Sequence, residues 1–159
     1  PMAALRLFPP SAALIVLVHL VATAYMTGVI WFVQLVHYPL MAGWPHDQFG
    51  VWEARHRDLT AFVVIPGMLL EAGTVVLLLV CAPRRVSPWL IGAGALLAFG
   101  VWASTFLIQV PCHTLLSLGW DDRVHARLVD TNWLRTVLWT ARLGIAIAMV
   151  VPLLSDEPS

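Results

Sequence analysis

Four apolar segments, each about as long as a membrane-crossing helix, constrain what this 159-residue chain can fold into. They cover residues 12–37, 59–81, 89–110 and 133–154, and a helix needs about 20 residues to cross the hydrocarbon core of a bilayer. The segments between them are too short to build a separate soluble domain. The sequence therefore predicts an all-α fold: a bundle of four transmembrane helices that forms one domain over residues 1–159 within the lipid bilayer.

The composition supports a membrane protein and argues against a nucleic-acid partner. Hydrophobic residues make up 60% of the chain and charged residues only 11%, far from the proportions of a soluble domain. The formal net charge is zero, and no basic patch is available to neutralise phosphates. The two cysteines, Cys81 and Cys112, end different predicted helices at opposite ends of the bundle, which excludes a CxxC centre. We expect the protein in a membrane, most simply a bacterial inner membrane.

The connections between the apolar segments differ in length and in predicted structure. Residues 47–58 have helical composition and are expected to run straight into the second membrane helix. Residues 82–85 form a tight turn. Between the third and fourth helices, residues 121–129 predict a short helix at the membrane surface, and residues 130–132 then supply capping groups for the last helix.

Polar residues recur along each apolar segment at the spacing of one helix face. An ionisable group in a membrane segment costs about 2.5–3.5 kcal/mol on insertion scales, so such groups usually face the interior of the bundle and have a function. Four helices with one polar stripe each are therefore expected to turn those stripes toward a common interior. The striped residues are His19, Gln34, His37, His56, Glu71, Gln109, His113, Asn132, Arg135 and Arg142.

The direction of each helix decides which polar residues meet. Because the chain crosses the bilayer alternately, the ends of the first and third helices lie at the same face as the starts of the second and fourth. This predicts that His37, His56 and His113 gather at one mouth of the bundle. His46 and His125 are expected in the loops above that mouth, as interfacial residues.

We predict a functional site at this mouth. His37 and His113 are the acid/base candidates, because imidazole exchanges protons readily near neutral pH. Asn132 and Arg135 are expected to stabilise a developing oxyanion or enolate charge. His37, His56 and His113 are also a candidate set of metal ligands, since three histidines leave an open position for a substrate or oxygen. The residues expected to contact the substrate are Trp31, Gln34, Tyr38, Gln109 and Trp139.

Glu71 and Arg142 form a second polar feature, deeper in the bundle. Each lies about ten residues from the mouth, or about 15 Å at 1.5 Å per residue. Because neither charge is tolerable alone in the bilayer, equal depth predicts an intramembrane ion pair. We expect this pair to be structural, an anchor between the second and fourth helices.

Three short motifs resemble the anthrone oxygenase-like group of small four-helix membrane proteins. They are Val36-His37-Tyr38-Pro39, Gln109-Val110-Pro111-Cys112-His113 and Asn132-Trp133-Leu134-Arg135-Thr136. That group includes fungal enzymes that oxidise anthrones to anthraquinones, as well as bacterial members. Where the group has an Asn-Val-Pro-x-Asn type of run, this chain has Gln109 and His113. The resemblance implies a four-helix membrane fold and an oxygenase activity.

Together, the polar mouth and the resemblance predict an integral membrane oxidoreductase of the oxygenase type. Its substrate is expected to be a small hydrophobic molecule, aromatic or quinone-like, held in an intramembrane polar pocket. One alternative is a non-catalytic protein that binds a transition metal or haem through imidazoles of facing helices. Another is an accessory or transport protein whose polar path extends past His19 to the far side of the membrane. The sequence is also compatible with a homo-oligomer.

Overall fold

Four long helices joined by short connections make up the fold. The computed structural model describes residues 10–154. No strand occurs in this part of the chain, and the predicted all-α four-helix bundle is confirmed. In chain order, helix α1 comprises Pro10–Phe32, Val33–His37 and Tyr38–Met41, α2 is Phe49–Cys81, α3 comprises Pro88–Ser104, Thr105–Gln109 and Val110–Leu116, and α4 is Asp122–Leu154.

All four helices are long and apolar enough to span a membrane. Each contains one of the predicted spans but continues beyond it, chiefly at the end of the bundle formed by the ends of α1 and α3 and the starts of α2 and α4. We call this end the loop face. α2 and α4 have 33 residues each, or about 50 Å against a hydrocarbon core of about 30 Å. Their first turns therefore reach the membrane surface at the loop face.

The predicted surface helix over residues 121–129 was wrong as a separate element, because this segment forms the first turns of α4. The Asp121 carboxylate caps α4 by accepting backbone N–H bonds from Arg123 at 2.9 Å and Val124 at 3.0 Å. The predicted caps at residues 130–132 lie inside the helix, where the Thr131 hydroxyl donates to the Arg127 carbonyl at 2.6 Å. No glycine or proline occurs between residues 122 and 143, so nothing ends the helix there.

Two helices widen by one residue where they approach the loop face. The π-helical turns Val33–His37 in α1 and Thr105–Gln109 in α3 each precede a proline by two residues, Pro39 and Pro111. A proline ring collides with the carbonyl four residues earlier in a regular α-helix, and a widened turn relieves that collision. Each widened turn also changes which side chains face the interior, and each contains one of the predicted glutamines.

The interior of the bundle combines apolar clusters with buried polar side chains, and its outer surface is apolar. α1 packs along α2 and α4, and α4 packs along α3. The interior contains many buried polar side chains, while large apolar side chains such as Phe62, Val80 and Leu107 are exposed around the bundle. This distribution is typical of a membrane protein, because lipid accepts apolar side chains and interhelical hydrogen bonds satisfy the polar ones.

Candidate functional site

The loop face gathers the predicted histidines from three helices. His37 Nε2 lies 2.9 Å from His56 Nδ1, and the rings of His56 and His113 have centroids 5.3 Å apart. Their predicted convergence at one level is therefore confirmed. Thr60, one turn along α2, places its hydroxyl 3.0 Å from His56 Nδ1, which leaves Nε2 as the His56 nitrogen available to a ligand.

A chain of hydrogen bonds links a buried cation to a buried carboxylate. Arg135 Nη2 donates to the Tyr38 hydroxyl at 3.2 Å, and that hydroxyl lies 3.0 Å from His113 Nε2. His113 Nδ1 lies 2.6 Å from Glu53 Oε1. Because a guanidinium only donates, the Tyr38 oxygen accepts from Arg135 and its own O–H is free to donate to His113. Neutral His113 then carries its proton on Nδ1 and donates it to Glu53, so all three bonds run in one direction.

Neutral groups surround the Arg135 guanidinium. Asn132 Oδ1 accepts from Arg135 Nε at 2.9 Å, and Gln109 Oε1 accepts from Nη2 at 3.3 Å. Asn132 is itself oriented by Gln34, whose Oε1 accepts from its amide at 2.8 Å, and the Gln109 amide donates to Thr131 at 2.9 Å. Within residues 10–154 no carboxylate bonds directly to Arg135. The positive charge is thus held in place without being neutralised by an adjacent anion.

Glu53 is a site residue that the sequence reasoning missed. It is 0% exposed, and its Oε2 atom has no hydrogen-bond partner among the described residues. Glu53 lies in residues 47–58, which are predicted to be helical and to continue into the second membrane helix, but it is not among the polar residues predicted to share a helix face. Its spacing of three residues from His56 was the available signal, because residues at that spacing share a helix face.

A cavity of about 310 Å³ lies directly beneath these residues. Its volume is at the small end of the range for pockets that bind small molecules. The end nearer the loop face is polar, and the deeper part is apolar. The polar lining includes Tyr38, His56, Thr60, Gln109, His113 and Arg135, and the apolar lining includes Met26, Ile30, Val33, Val64, Ile65 and Trp139.

A groove of about 390 Å³ on the outer surface of α1 and α2 adjoins the cavity. Its lining includes His37, which does not line the cavity itself. Four residues line both spaces: Val29, Val33, Thr60 and Val64. These side chains therefore lie between the groove and the cavity, and His37 is linked to the cavity lining by its contact with His56.

Of the residues predicted to contact the substrate, Trp31 and Gln34 do not line the cavity, whereas Tyr38, Gln109 and Trp139 do. Trp31 lies on another face of α1. Its side chain is 38% exposed, and its Nε1 donates to the Thr140 hydroxyl at 3.0 Å. The ring also makes an edge contact with Trp133 at 5.8 Å. The cavity-facing side of α1 includes Ile30 and Val33 instead, which lie about 100° and about 160° around the helix from Trp31.

The predicted ion pair between Glu71 and Arg142 is confirmed. Arg142 Nη2 and Nε lie 2.9 and 3.2 Å from Glu71 Oε1, and Arg142 Nη1 donates to the Gly94 carbonyl. The second carboxylate oxygen accepts from Trp139 Nε1 at 2.9 Å. Trp139 also lines the cavity, so one side of this ring contacts the cavity while its N–H completes the ion pair.

The remaining histidines have structural contacts. His125 is buried, contrary to the prediction of a wet interfacial ring, and its Nε2 lies 2.9 Å from the Tyr38 carbonyl in the last turn of α1. This contact satisfies a carbonyl that has no partner in its own helix. His46 stacks on Trp120 at 4.5 Å, and His19 bonds to Thr74 at 2.8 Å far from the loop face.

No family model matches the chain, and no curated protein or solved structure is significantly similar to it. A function therefore has to be inferred from the side chains that line the cavity and from the charges beside them.

Proposed function

We propose that this chain is an integral membrane oxidoreductase that oxidises a small hydrophobic molecule, aromatic or quinone-like, in the cavity below the loop face. The observation that carries the proposal is the Arg135 guanidinium, which lines an apolar cavity without a directly bonded carboxylate, beside His56 and His113. Two arginines, Arg57 and Arg135, together with two imidazoles and apolar walls, suit a flat molecule that becomes an anion during its reaction.

The acid–base part of the proposal rests on His56 and His113. Both imidazoles line the cavity, and histidine is the commonest general acid or base in enzymes. Glu53 orients His113 through the 2.6 Å bond to Nδ1 and would stabilise the imidazolium that forms when His113 takes a proton. A carboxylate behind a catalytic histidine has this role in serine hydrolases.

Arg135 supplies the electrostatic part. In a site that excludes most water, a fixed cation stabilises developing negative charge more strongly than it would in water. Asn132 and Gln109 hold the guanidinium in place, so little reorganisation is needed when a phenolate or enolate forms. The Tyr38 hydroxyl is within hydrogen-bond distance of both Arg135 and His113, and it can pass a proton between the substrate oxygen and His113.

The overall reaction follows the resemblance to anthrone oxygenases. An activated ring methylene becomes a carbonyl group: the base removes one proton, the resulting carbanion is oxidised by dioxygen, one oxygen atom enters the product and the other leaves as water. The substrate would enter from the lipid through the groove beside His37, where only Val29, Val33, Thr60 and Val64 separate the two spaces. A bacterial inner membrane is the location we propose.

Transport receives less support from the geometry. The deep end of the cavity is lined by Met26, Ile65 and Trp139. His19, which a path to the far side would use, lies beyond the Glu71–Arg142 pair and bonds to Thr74. A solute path would have to pass through that pair.

The test is oxidation of anthrone in air by the purified protein in lipid nanodiscs. Wild-type protein should accelerate product formation over empty nanodiscs and incorporate one atom of labelled dioxygen. His113→Ala should lower the rate by about 10²–10⁴-fold, the usual contribution of a general base. His46→Ala, which alters a histidine stacked on Trp120 outside the cavity, should leave the rate unchanged. A wild-type rate equal to that of empty nanodiscs, or equal rates for the two variants, would reject the proposal.

A further inference from the structure

We propose that Glu53, His56 and His113 bind one divalent transition-metal ion, and that Fe(II) is the ion that this ligand set suits best. The choice of iron rests on the proposed function, since Fe(II) would supply a site that binds dioxygen beside the substrate. Binding of a metal, however, is tested without any substrate. The set differs from the three histidines predicted from the sequence, because Glu53 takes the place of His37.

The three side chains are close enough to share one ion. Each offers one ligand atom, and these atoms all lie within 4.8 Å of one another. Adjacent ligand atoms at about 2.0–2.2 Å from one metal lie about 3 Å apart. Rotations of the three side chains would therefore have to draw their ligand atoms somewhat closer together around the ion.

The helices hold the ligands in this arrangement. Glu53 and His56 are three residues apart on α2 and project from the same face, and Glu-x-x-His pairs of this kind bind metals in the di-iron four-helix bundles. His113 comes from α3, which approaches α2 closely at Gly50. A Cβ atom at Gly50 would lie 2.8 Å from the Ser117 carbonyl oxygen, so the absence of a side chain there allows the two helices to meet.

An independent observation points to a cation at Glu53. Its Oε2 is buried and receives no hydrogen bond from residues 10–154, although a buried carboxylate oxygen without a donor is unfavourable. A metal ion would satisfy that oxygen. The orientation of His56 agrees, because His37 and Thr60 engage its Nδ1. Metal-binding histidines are usually oriented in this way through the nitrogen that does not bind the metal.

The ligand types select the class of ion. Two imidazoles and one carboxylate that leave other coordination positions open are the ligand set of non-haem Fe(II) oxygenases. The two cysteines take no part, since Cys81 lies at the opposite end of the bundle and Cys112 is not in this cluster. A thiolate site for zinc or an iron–sulfur cluster is therefore not formed by these residues. His113 would exchange its hydrogen bond to Glu53 or to Tyr38 for a bond to the metal. In the metal-bound protein, His56 and His113 would therefore act as ligands and not as proton acceptors.

The first experiment measures binding of Fe(II), and of Co(II) as a coloured probe, to detergent-purified protein stripped with a chelator and kept free of oxygen. We expect one ion per chain. Glu53→Gln and His56→Ala should each weaken the Kd by more than the about 10–100-fold that is typical of residues that only orient a ligand. His37→Ala should fall within that range, and His46→Ala should match wild type.

A second measurement uses wild-type protein alone, in case the variants fold poorly. Pulsed electron paramagnetic resonance or X-ray absorption on the Co(II)-loaded protein should count two imidazole ligands. Three imidazoles would assign the ion to the all-histidine set and overturn the proposal, as would the absence of stoichiometric binding or unchanged affinity in Glu53→Gln. A protein that binds metal but does not oxidise anthrone would keep the metal site and reject the proposed function. Turnover by metal-free protein would reject a role for the metal and keep the oxidation.

Discussion

The bundle contains two glutamate–arginine systems, and they are built differently. Glu71 and Arg142 bond directly, and Trp139 and the Gly94 carbonyl take up the remaining groups of the pair. At the loop face, Glu53 and Arg135 are kept apart and are connected through His113 and Tyr38. The residue types are the same, but one pair is closed and the other is interrupted by two groups that can transfer protons.

This difference indicates which system can act on a ligand. A direct pair neutralises both charges and satisfies their hydrogen bonds, so it has little left to offer a substrate. In the interrupted system, Arg135 and His113 line a cavity and Glu53 retains an oxygen without a partner among residues 10–154. We therefore interpret Glu71–Arg142 as a structural anchor and the loop-face residues as the chemical site.

The largest expected effect breaks the closed pair. Glu71→Gln should lower the free energy of unfolding by about 3–5 kcal/mol, because it leaves the Arg142 cation buried without a counter-charge. Unfolding by titration with sodium dodecyl sulfate in mixed micelles would measure this loss. The double variant Glu71→Gln, Arg142→Gln should recover much of the loss. Simple addition of the two single effects would show that the residues do not interact.

A smaller effect is expected where the interrupted system is cut. Tyr38→Phe removes the hydroxyl between Arg135 and His113, and we expect a loss of about 1.5–3 kcal/mol in unfolding free energy, the range for hydrogen bonds to charged groups. Tyr25→Phe is the matched control, because that hydroxyl donates only to the Val63 carbonyl near the surface. If both variants lose equal stability and equal oxidation rate, Tyr38 is an ordinary structural tyrosine.

The approach of α2 to α3 provides a third test. Gly50→Ala should cost about 1–2 kcal/mol, because its new methyl group would meet the Ser117 backbone carbonyl. It should also weaken metal binding, since the change separates Glu53 from His113. Gly73→Ala on the same helix has open space around it and should leave stability unchanged or raise it by up to about 1 kcal/mol. Thermal unfolding of both variants, with and without Co(II), would measure these effects. If Gly50→Ala and Gly73→Ala gave the same result, α2 and α3 would not make the close contact at Gly50.

The smallest effect concerns the boundary of the cavity. Trp31→Phe removes the N–H that bonds to Thr140, and we expect a stability loss of about 0.5–1.5 kcal/mol. Affinity for a hydrophobic ligand should not change, because Trp31 does not line the cavity. Fluorescence quenching by a quinone would measure the affinity. Weaker quinone binding would return Trp31 to the substrate-contacting residues that the sequence predicted.

The sequence predicts those features of the fold that depend on the spacing of residues along a helix and on the direction in which each helix crosses the membrane. Apolar run lengths specify the number of helices, and alternating direction specifies the depth of each polar residue. These two rules placed His37, His56 and His113 at one level and matched Glu71 with Arg142. They failed for the start of α4, where the helix continues beyond its apolar run. They also missed Glu53, whose contact with His113 depends on the distance between two helices.

The sequence by itself therefore determined the bundle, the loop face as the location of the polar cluster, and the central ion pair, since each follows from residues along one helix. Only the tertiary structure decided which polar side chains of the loop face form hydrogen bonds with one another. The π-helical turns before Pro39 and Pro111 change the facing of two helices by part of a turn. The contact at Gly50 sets the distance between two others. How far each helix is rotated about its axis, and how far apart two helices lie, depend on the packing between helices and not on one helix alone. This packing places Glu53 beside His113 and keeps Trp31 out of the cavity.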